Sequence, residues 1–292
     1  MIVVPGPSSK ELGTTVGQIL RLKAVQLEFK HFPDDENYIR FTGEISGQDV
    51  TIIQSTGPPQ DQNLIQLLII ASAAKDLGAR SVIAVVPYLA YARQDKRFRP
   101  GEAISMMTVT RLLEASGIDR LITVNIHSQA VLRSLRIPGE SLSAISLLAE
   151  HFRRLGLKKP LSIAPDKGAS DIAIEADEIL KGGHGWMSKE RDRITGEVKM
   201  EERELNAKGR DVVIFDDMIS TGGTMVAAAA MLTKHGARSV YAACVHPLLV
   251  GGAQEKILAS GAREIVGTDC ILSPVSKVSV APIIAEALRR YM

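Results

Sequence analysis

The sequence of residues 210–236 is RDVVIFDDMISTGGTMVAAAAMLTKHG. Its apolar run at residues 212–215 is rich in β-branched side chains, which is typical of a strand buried in a parallel sheet. The alanine-rich run at residues 225–234 has high helix propensity, and Gly236 follows it as a residue suited to the end of a helix. A buried strand that leads into a helix in this way predicts an α/β unit.

A short polar loop connects this predicted strand and helix, and its composition suits a bound phosphate. Two glycines allow backbone N–H groups to converge on an anion, and the following helix adds the positive end of its dipole. No lysine follows the glycines, so the loop is not the GxxxxGK[ST] loop of nucleoside-triphosphate binding. The candidate phosphate ligands are Ser220, Thr221, Gly222, Gly223 and Thr224.

Two carboxylates, Asp216 and Asp217, precede this loop. They would repel a second phosphate, but they can accept hydrogen bonds from sugar hydroxyls, so the residues indicate a phosphorylated sugar. An ordinary turn with a polar rim is the alternative. It is disfavoured because two aspartates, two glycines and three hydroxyl residues fall within nine positions. The segment also resembles the ribose 5-phosphate loop of the phosphoribosyltransferase superfamily, a resemblance that does not by itself distinguish a transferase from a synthetase.

Length and charge limit the classes of function. The chain has 292 residues, enough for two α/β domains, and its 35 basic residues nearly balance its 33 acidic residues. No nucleic-acid partner is expected from this balance, and no membrane partner, because the longest apolar stretch, residues 64–74, is too short to span a bilayer. We see no signal peptide. Cys244 and Cys270 lack metal-ligand spacing, so we expect free thiols in a cytoplasmic protein.

Predicted strands and helices alternate along the chain, which indicates mainly parallel sheets flanked by helices. One segment occurs twice: Gly-Ala-Arg-Ser-Val stands at residues 78–82 and again at residues 236–240. A strand, a Ser-Thr-Gly tripeptide and a helix precede each copy in the same order, and a strand follows it. These matching flanks predict the duplication of a whole α/β domain.

The expected domains are residues 1–142 and 143–292, with the last helix free to pack back on the first domain. In the first copy, Gln54 and Pro58-Pro59 replace the acidic pair and the two glycines. The first domain is therefore not expected to bind a sugar phosphate in the same way. We also expect a hairpin, residues 38–42 with 44–53, beside its parallel strands.

Polar residues follow several predicted strands, at the edge where open parallel sheets bind ligands. His127 and Asp166 each end a strand, and with phosphates and waters they could bind Mg²⁺. A histidine with a purely structural role is the alternative at residue 127. Lys167, beside the aspartate, could neutralise phosphate charge.

Two charged segments of the sequence are each compatible with more than one function. Residues 91–99 combine four cations with aromatic rings, which fits a clamp for a nucleoside triphosphate, an RNA-binding loop or a solvated loop. We favour the nucleotide, because the cluster is short and the net charge is near zero. Residues 189–204 form the most charged run of the chain, which fits either a solvated hairpin or a flap that closes over phosphates.

Taken together, these motifs resemble the ribose-phosphate diphosphokinase family over nearly the whole chain, and its archaeal-type members most. The resemblance implies two tandem phosphoribosyltransferase-like domains. It implies that the anomeric hydroxyl of ribose 5-phosphate attacks the β-phosphorus of ATP, giving 5-phosphoribosyl 1-diphosphate and AMP. The motifs that carry it are FPDDE at 32–36, NLIQLLIIASAAK at 63–75, IAVVPYLAYARQDKRF at 83–98, NIHS at 125–128, APD at 164–166, SKERD at 188–192 and DDMISTGGT at 216–224.

The resemblance also implies roles for individual residues. Asp216 and Asp217 would hold the ribose hydroxyls, and residues 220–224 the 5-phosphate. His127 and Asp166 would bind Mg²⁺ directly or through water. Lys189 and Arg191, in the flap, would stabilise charge on the transferring diphosphoryl group, so that catalysis is mainly positioning and electrostatic stabilisation.

ATP would be bound by two segments. Arg93 would lie against the adenine, and residues 32–36 would reach ATP from a neighbouring subunit of a homodimer, which could assemble further. The implied ATP ligands are Phe32, Asp34, Asp35, Glu36, Arg93, Gln94, Asp95 and Arg97.

Two other functions share part of this residue set. A nucleobase phosphoribosyltransferase would use the same sugar-phosphate loop but would need no adenine clamp at Arg93 and Gln94. A non-catalytic regulatory homologue should have lost the flap cations or the acidic pair, and this sequence keeps both. Formation of AMP from ATP and ribose 5-phosphate, without a nucleobase, separates the three hypotheses.

Overall fold

The computed structural model describes residues 1–191, 198–201 and 206–292, without the side chains of 188–191 and 198–201. It divides into two compact units. Met1–Ser143 and Ser279–Met292 form the first unit, and Ala144–Val278 form the second. Each contains a parallel sheet flanked by helices, which confirms the α/β fold class. No helix within these ranges is long and apolar enough to pass through a membrane.

The first unit is built on a five-stranded parallel sheet. Its described elements up to Ser143 are β1 (Ile2–Pro5), α1 (Lys10–Leu20), β2 (Leu27–His31), β3 (Asn37–Phe41), β4 (Asp49–Ile53), α2 (Gln60–Asp76), β5 (Ser81–Val86), α3 (Ser105–Ala115), β6 (Arg120–Val124), α4 (Gln129–Ser134) and β7 (Gly139–Leu142). The sheet has the order β1-β4-β5-β6-β7, and β2 and β3 form a separate antiparallel hairpin. Its central strands are buried almost throughout, because helices cover both faces of such sheets.

The second unit is built on a six-stranded parallel sheet. Its described elements are α5 (Ile145–Arg154), β8 (Leu161–Ala164), α6 (Ser170–Leu180), β9 (His184–Trp186), β10 (Ser188–Arg191), β11 (Val198–Glu201), β12 (Asp211–Ile219), α7 (Gly223–Lys234), β13 (Ser239–Pro247), α8 (Ala253–Ala259), β14 (Ala262–Thr268) and β15 (Ser276–Val278). The order in the sheet is β15-β14-β13-β12-β8-β9. β10 and β11 pair with each other as an antiparallel ribbon.

The repeated Gly-Ala-Arg-Ser-Val segment makes the same contacts in both units. Its glycine adopts a positive φ after a helix in each copy, where glycine is favoured. Its arginine pairs with the aspartate that begins the preceding strand: Arg80 with Asp49, and Arg238 with Asp211. Its serine begins the strand that lies parallel to that one, β5 in the first unit and β13 in the second. The two units therefore repeat one α/β plan, as the sequence repeat predicts.

The last helix, α9 (Ala281–Arg289), packs on α1 and belongs to the first unit. Ile284 and Leu288 on its apolar face are fully buried. Beyond it, the Tyr291 hydroxyl donates to Glu140 Oε1 at 2.9 Å, and Arg290 Nη2 donates to Glu140 Oε2 at 2.5 Å. The second unit thus ends at Val278. The expected second domain ran to residue 292, with the last helix free to pack back on the first domain.

The sequence-based prediction of the hairpin is wrong. β2 pairs with β3, with His31 opposite Asn37, and residues 32–36 form the connecting turn, which we call the hairpin tip. The tip closes on itself, because the Phe32 N–H donates to the Glu36 carbonyl oxygen at 2.8 Å. The segment expected as the second hairpin strand contains β4 instead. β4 pairs in parallel with β1 and β5 and is buried at four of its five residues, which an exposed hairpin strand would not be.

Candidate active site

The acidic pair lies within β12 rather than after it, which corrects the predicted end of that strand. β12 continues to Ile219 because β13 extends alongside it, with Asp216 opposite Cys244. Both aspartates are half-buried. The polar loop begins at Ser220, and α7 begins at Gly223. The carboxylates and the loop therefore share the carboxyl edge of the sheet, where open α/β sheets bind ligands.

The two glycines of the loop have different roles. Gly222 has a φ of +75°, and a Cβ there would lie 3.0 Å from Ile257 Cδ1 and 3.1 Å from Ala253 Cβ. Around Gly223, by contrast, no atom of the described residues lies within 4 Å of the position a Cβ would take, apart from its chain neighbours and the adjacent backbone of its own helix. Gly222 therefore allows the sharp turn into α7, and Gly223 leaves the first N–H groups of that helix open to an anion.

The equivalent loop of the first unit is used differently. Thr56 is fully buried; its Oγ1 donates to the Tyr88 carbonyl oxygen at 2.9 Å and accepts the Ala90 N–H at 2.8 Å. Thr221, the matching residue of the second unit, is exposed. The hydroxyl of the first loop thus holds its own unit together, and the second loop presents its threonine to solvent.

Asp216 and Asp217 interact directly, since the Asp217 N–H donates to Asp216 Oδ1 at 2.9 Å. Burial raises the pKa of Asp216 well above its usual range, and the charges of Asp217 and Asp166 raise it further. The pair therefore keeps a proton at pH values where isolated aspartates are ionised. A ligand that donates hydrogen bonds to both carboxylates, or a cation, would release that proton.

We expect Asp216→Asn to stabilise the ligand-free protein, by an amount that grows with pH. Because the folded-state pKa of Asp216 is raised above its unfolded value, the ionisation opposes folding. This cost is absent below the unfolded pKa and is complete above the folded pKa. Asparagine carries no charge and can still accept the Asp217 N–H. The gain in the free energy of unfolding, measured by urea titration, should be near zero at about pH 4 and on the order of 1 kcal/mol or more at about pH 9.

Asp49→Asn is the matched control, because the pKa of Asp49 is shifted in the opposite direction and the expected effect on stability has the opposite sign. Hydrogen bonds from Arg80 and Ser81 hold the pKa of Asp49 well below its usual range. Its stabilisation is therefore present above the unfolded pKa and is lost as the pH falls. This variant should be less stable than the wild type near neutral pH and equal to it in acid. The raised pKa of Asp216 is contradicted if both variants show the same pH trend.

The two residues expected at the metal lie in different units. Asp166 follows β8, and its Oδ1 accepts the N–H groups of Gly168 at 2.9 Å and Ala169 at 3.3 Å, which fixes the carboxylate at the start of a short 3-10 helix. His127 is exposed between β6 and α4. Within the described residues, no group of three or more His, Cys, Asp or Glu side chains is arranged to hold a metal. Substrate oxygens and waters would have to supply the remaining ligands.

The segment of residues 91–99, which we call the basic loop, connects β5 to α3 and is organised by Glu102. Glu102 Oε2 accepts the N–H groups of Phe98 and Arg99, both at 2.9 Å, and its carbonyl oxygen accepts Arg97 Nε at 2.8 Å. Gln94 Nε2 donates to a carbonyl oxygen just beyond the loop at 3.3 Å. Sequence reasoning missed Glu102, whose only signal is a single acid after the basic run. Two expected ATP ligands therefore also shape the loop.

Asp95 joins the basic loop to the strand end that carries His127. Its Oδ2 accepts a hydrogen bond from the hydroxyl of Ser128, the residue that follows His127, at 2.5 Å. Arg93 is exposed and makes no hydrogen bond or ion pair with any described residue. The loop is thus fixed by its neighbours, while the guanidinium of Arg93 can meet a ligand.

The hairpin tip presents one aromatic and several acidic side chains to solvent. Phe32 is 44% exposed and packs edge-on against Tyr38, with 5.7 Å between the ring centroids. Asp34 Oδ1 accepts the Glu36 N–H at 3.3 Å, and Asp35 adopts a φ of +70°. Over the described part of the chain, no hydrogen bond, ion pair or ring contact joins the tip to the basic loop. Lys189 and Arg191 lie on β10, and their side chains are outside the described residues.

Comparison with known proteins identifies both units. The family model for the N-terminal domain of ribose phosphate pyrophosphokinase matches residues 1–117, and the model for the phosphoribosyl transferase domain matches residues 135–272. The molecule thus consists of two tandem phosphoribosyltransferase-type units. A ribose-phosphate pyrophosphokinase of Methanothermobacter thermautotrophicus is 44% identical over 99% of this chain and 100% of its own length. The chain belongs to the ribose-phosphate pyrophosphokinase family.

Two further relatives agree with this assignment. A ribose-phosphate pyrophosphokinase of Saccharolobus solfataricus is 40% identical over 93% of each chain. The crystal structure of phosphoribosylpyrophosphate synthetase from Mycobacterium smegmatis matches with a TM-score of 0.88 and 28% identity, over 99% of this chain and 98% of that one. The family expected from the sequence motifs is confirmed.

Proposed function

We propose that this chain transfers the diphosphoryl group of ATP to the anomeric hydroxyl of ribose 5-phosphate. The products are 5-phosphoribosyl 1-diphosphate and AMP. The observation that carries this proposal is the loop at the start of α7, where the open Gly223 follows the half-buried pair Asp216 and Asp217. Membership of a family named for this reaction supports it.

The sugar phosphate is proposed to bind with its two ends on different groups. The 5-phosphate would accept hydrogen bonds from the N–H groups at the start of α7 and from the hydroxyls of Ser220, Thr221 and Thr224. The ribose hydroxyls would donate to Asp216 and Asp217, whose ionised forms accept strong hydrogen bonds. This arrangement separates the dianionic phosphate from the carboxylates and fixes the anomeric hydroxyl for attack.

ATP is proposed to bind at the basic loop, with the adenine between two exposed groups. The guanidinium of Arg93 can stack on one face of the base, and the ring of Phe32 from a neighbouring subunit can cover the other. Gln94, Asp95 and Arg97 would act partly by holding the loop in shape, as their internal hydrogen bonds suggest. The acidic tip residues Asp34, Asp35 and Glu36 would contact the nucleotide beside Phe32.

Mg²⁺ is the proposed cofactor, with His127 and Asp166 as its protein ligands. Carboxylate oxygens suit this cation, which usually keeps several waters and binds phosphates. Negative charge is concentrated on this edge of the second unit, since Asp166 and Asp217 both raise the pKa of Asp216. The cation would supply charge neutralisation at the phosphates of ATP.

In the transfer step, the anomeric oxygen bonds to the β-phosphorus while the bond from that phosphorus to the α,β-bridging oxygen breaks. AMP leaves with the bridging oxygen, and the hydroxyl proton passes to solvent. Lys189 and Arg191 are proposed to stabilise the charge on the transferring group. Positioning and electrostatic stabilisation carry the catalysis, as is usual for phosphoryl transfer.

The test is an assay of AMP formation from Mg²⁺, ATP and ribose 5-phosphate. AMP and 5-phosphoribosyl 1-diphosphate should form in equal amounts, and omission of the sugar phosphate should abolish both. A nucleobase phosphoribosyltransferase would instead consume 5-phosphoribosyl 1-diphosphate only when a nucleobase is added. A protein that binds ATP without forming AMP would be a regulatory homologue.

We expect the ATP site to be shared between subunits of a homodimer or larger assembly. The exposed Phe32 at the end of a hairpin, without a described contact to the basic loop of its own chain, motivates this prediction. A chain with Phe32→Ala and Asp34→Ala and a second chain with Arg93→Ala should each be nearly inactive. When they assemble together, one kind of interface contains two intact halves, so activity should return.

The measurement is AMP formation by mixtures whose mixed composition is verified by native mass spectrometry. Each variant incubated only with itself is the control. Mixed assemblies that stay as inactive as their parents would show that each site is built within one chain.

The state of the two cysteines is relevant to the cellular compartment of the protein. Cys244 and Cys270 are buried thiols. Burial raises the pKa of both thiols, which keeps them protonated and unreactive. Buried, unreactive thiols support the expected cytoplasmic location, which stays a prediction.

A further inference from the structure

Two glutamines of α2 hold the two ends of the hairpin tip. Gln62 Nε2 lies 3.2 Å from His31 Nε2, and Gln66 Nε2 donates to Asn37 Oδ1 at 3.0 Å. His31 and Asn37 face each other in the register of β2 and β3 and bracket the tip. Since residues four apart lie on the same side of a helix, one face of α2 fastens the hairpin on both sides of the tip.

The second of these contacts continues inward through buried amides. Gln66 is 3% exposed, and its Oε1 accepts Gln54 Nε2 at 3.2 Å. Gln54 is fully buried; its Oε1 accepts the Ser8 N–H at 3.0 Å, and its Nε2 also donates to the Asn63 carbonyl oxygen at 3.3 Å. Gln54, Gln66 and Asn37 thus form an unbroken chain of hydrogen bonds from the central sheet to the hairpin, which we call the amide relay. Hydrogen bonds between amides in a buried setting favour a single arrangement of the groups.

The relay begins at the position where the second unit carries its sugar-binding acid. Asp49 and Asp211 are equivalent, because each begins its strand and pairs with the arginine of the repeated segment. Gln54 stands as far after Asp49 as Asp216 stands after Asp211. A neutral amide both donates and accepts, so it can pass a hydrogen bond onward at full burial, where an ionised carboxylate would need a compensating charge.

We propose that Gln54, Gln62 and Gln66 are positioning residues for ATP, acting through His31 and Asn37 on the hairpin tip. This inference rests on the proposed function, which assigns the tip to ATP. An isolated two-stranded hairpin is marginally stable in water. Fastening it to α2 in advance removes an ordering cost that ATP binding would otherwise carry. The position that carries Asp216 in the second unit thereby carries, in the first unit, a residue that supports the hairpin proposed to bind ATP.

The test is the variant Gln66→Met. Methionine has a volume similar to that of glutamine, but its side chain cannot form either hydrogen bond that Gln66 makes in the relay. Hydrogen–deuterium exchange of residues 27–41 should become faster, and the KM for ATP should rise by about three- to tenfold, as expected for one or two lost hydrogen bonds. The KM for ribose 5-phosphate should not change.

Two further variants separate positioning from general stability. Ile70→Val, on the same helix and fully buried, loosens the core without touching the relay, so it should leave exchange at residues 27–41 and the KM for ATP unchanged. Gln62→Leu removes the contact to His31 from a half-buried site, so it should fold normally and raise the KM for ATP by a smaller factor.

Two outcomes of these measurements overturn the inference. In the first, exchange at residues 27–41 is the same in Gln66→Met as in the wild type. In the second, exchange is faster but the KM for ATP does not change, or changes no more than in Ile70→Val. Failure of the proposed function is distinct, because the wild type would then form no AMP. ATP affinity would in that case be measured by equilibrium binding, and the exchange measurement would still apply.

Discussion

Lys189→Ala should lower kcat by about 10²–10³-fold, the usual cost of removing one electrostatic contact to a transition state. The KM values should change little, because the proposed contact strengthens only as charge develops on the transferring diphosphoryl group. Among the described residues, β10, which carries this residue, pairs with β11 alone, in a ribbon outside both parallel sheets. Thermal unfolding should therefore be the same as in the wild type.

The measurement is steady-state AMP formation under saturating ATP and ribose 5-phosphate, together with a thermal unfolding curve. Lys199→Ala is the matched control, because Lys199 stands on β11 of the same ribbon and its replacement removes the same charge. It should retain most of the activity. A loss below tenfold in Lys189→Ala, or an equal loss in Lys199→Ala, would reduce Lys189 to one of several surface charges.

Asp217→Asn and Asp216→Asn should both weaken ribose 5-phosphate binding by about 10–100-fold. Loss of a hydrogen bond to a charged group costs roughly 1.5–3 kcal/mol, and about 1.4 kcal/mol corresponds to a factor of ten. The KM for ATP should change far less, because ATP is assigned to the first unit and a neighbouring subunit. Asp216→Asn should combine this loss with its higher stability at alkaline pH.

These effects are measured as separate KM values for the two substrates and by direct binding of ribose 5-phosphate. Asp171→Asn removes an exposed carboxylate from the first turn of α6 in the same unit, so it controls for a general change of charge. If both pair variants kept the wild-type KM for ribose 5-phosphate and the wild-type kcat, the carboxylates would have no part in sugar binding.

The sequence was informative where neighbouring residues carry the whole signal. Ser-Thr-Gly-Gly and the preceding acids are contiguous, so both the loop and its ligand class could be inferred without a structure. Apolar strands predicted the two sheets, and the repeated segment predicted that their plans would match. Apolar patterning reports burial, however, and not backbone pairing. β12 therefore runs past the acidic pair, where its side chains become polar but its pairing with β13 continues.

Other elements of the fold are not evident in the sequence, for different physical reasons. α6 was not predicted, because acidic residues interrupt its sequence and its buried face relies partly on the small residues Ala173 and Ala176. The motif at residues 32–36 indicates a binding segment, but it also forms the turn of the hairpin, so the hairpin lies earlier in the chain than expected. Its proline and aspartates are also turn residues, and they close the tip.

The supporting contacts of the site could not be predicted at all. Asp95 and Ser128 are 33 residues apart, and Gln66 and Asn37 are 29 residues apart. Glu102 accepts N–H groups from a loop whose path is set by the strand and helix on either side. Such pairs depend on how the whole unit packs, so a local sequence pattern cannot predict them. Sequence motifs therefore predict which groups contact a ligand, and the structure shows what holds those groups in place.

The position of α9 has a consequence for how the molecule matures. Because α9 belongs to the first unit, the second unit is an insertion within the first along the chain. Synthesis proceeds from the N-terminus, so every strand of the second unit leaves the ribosome before α9 does. The second unit can complete its core at that stage, whereas the first still lacks Ile284 and Leu288. The unit that is begun first is thus finished last, and the polar loop before α7 can form before the first unit is closed.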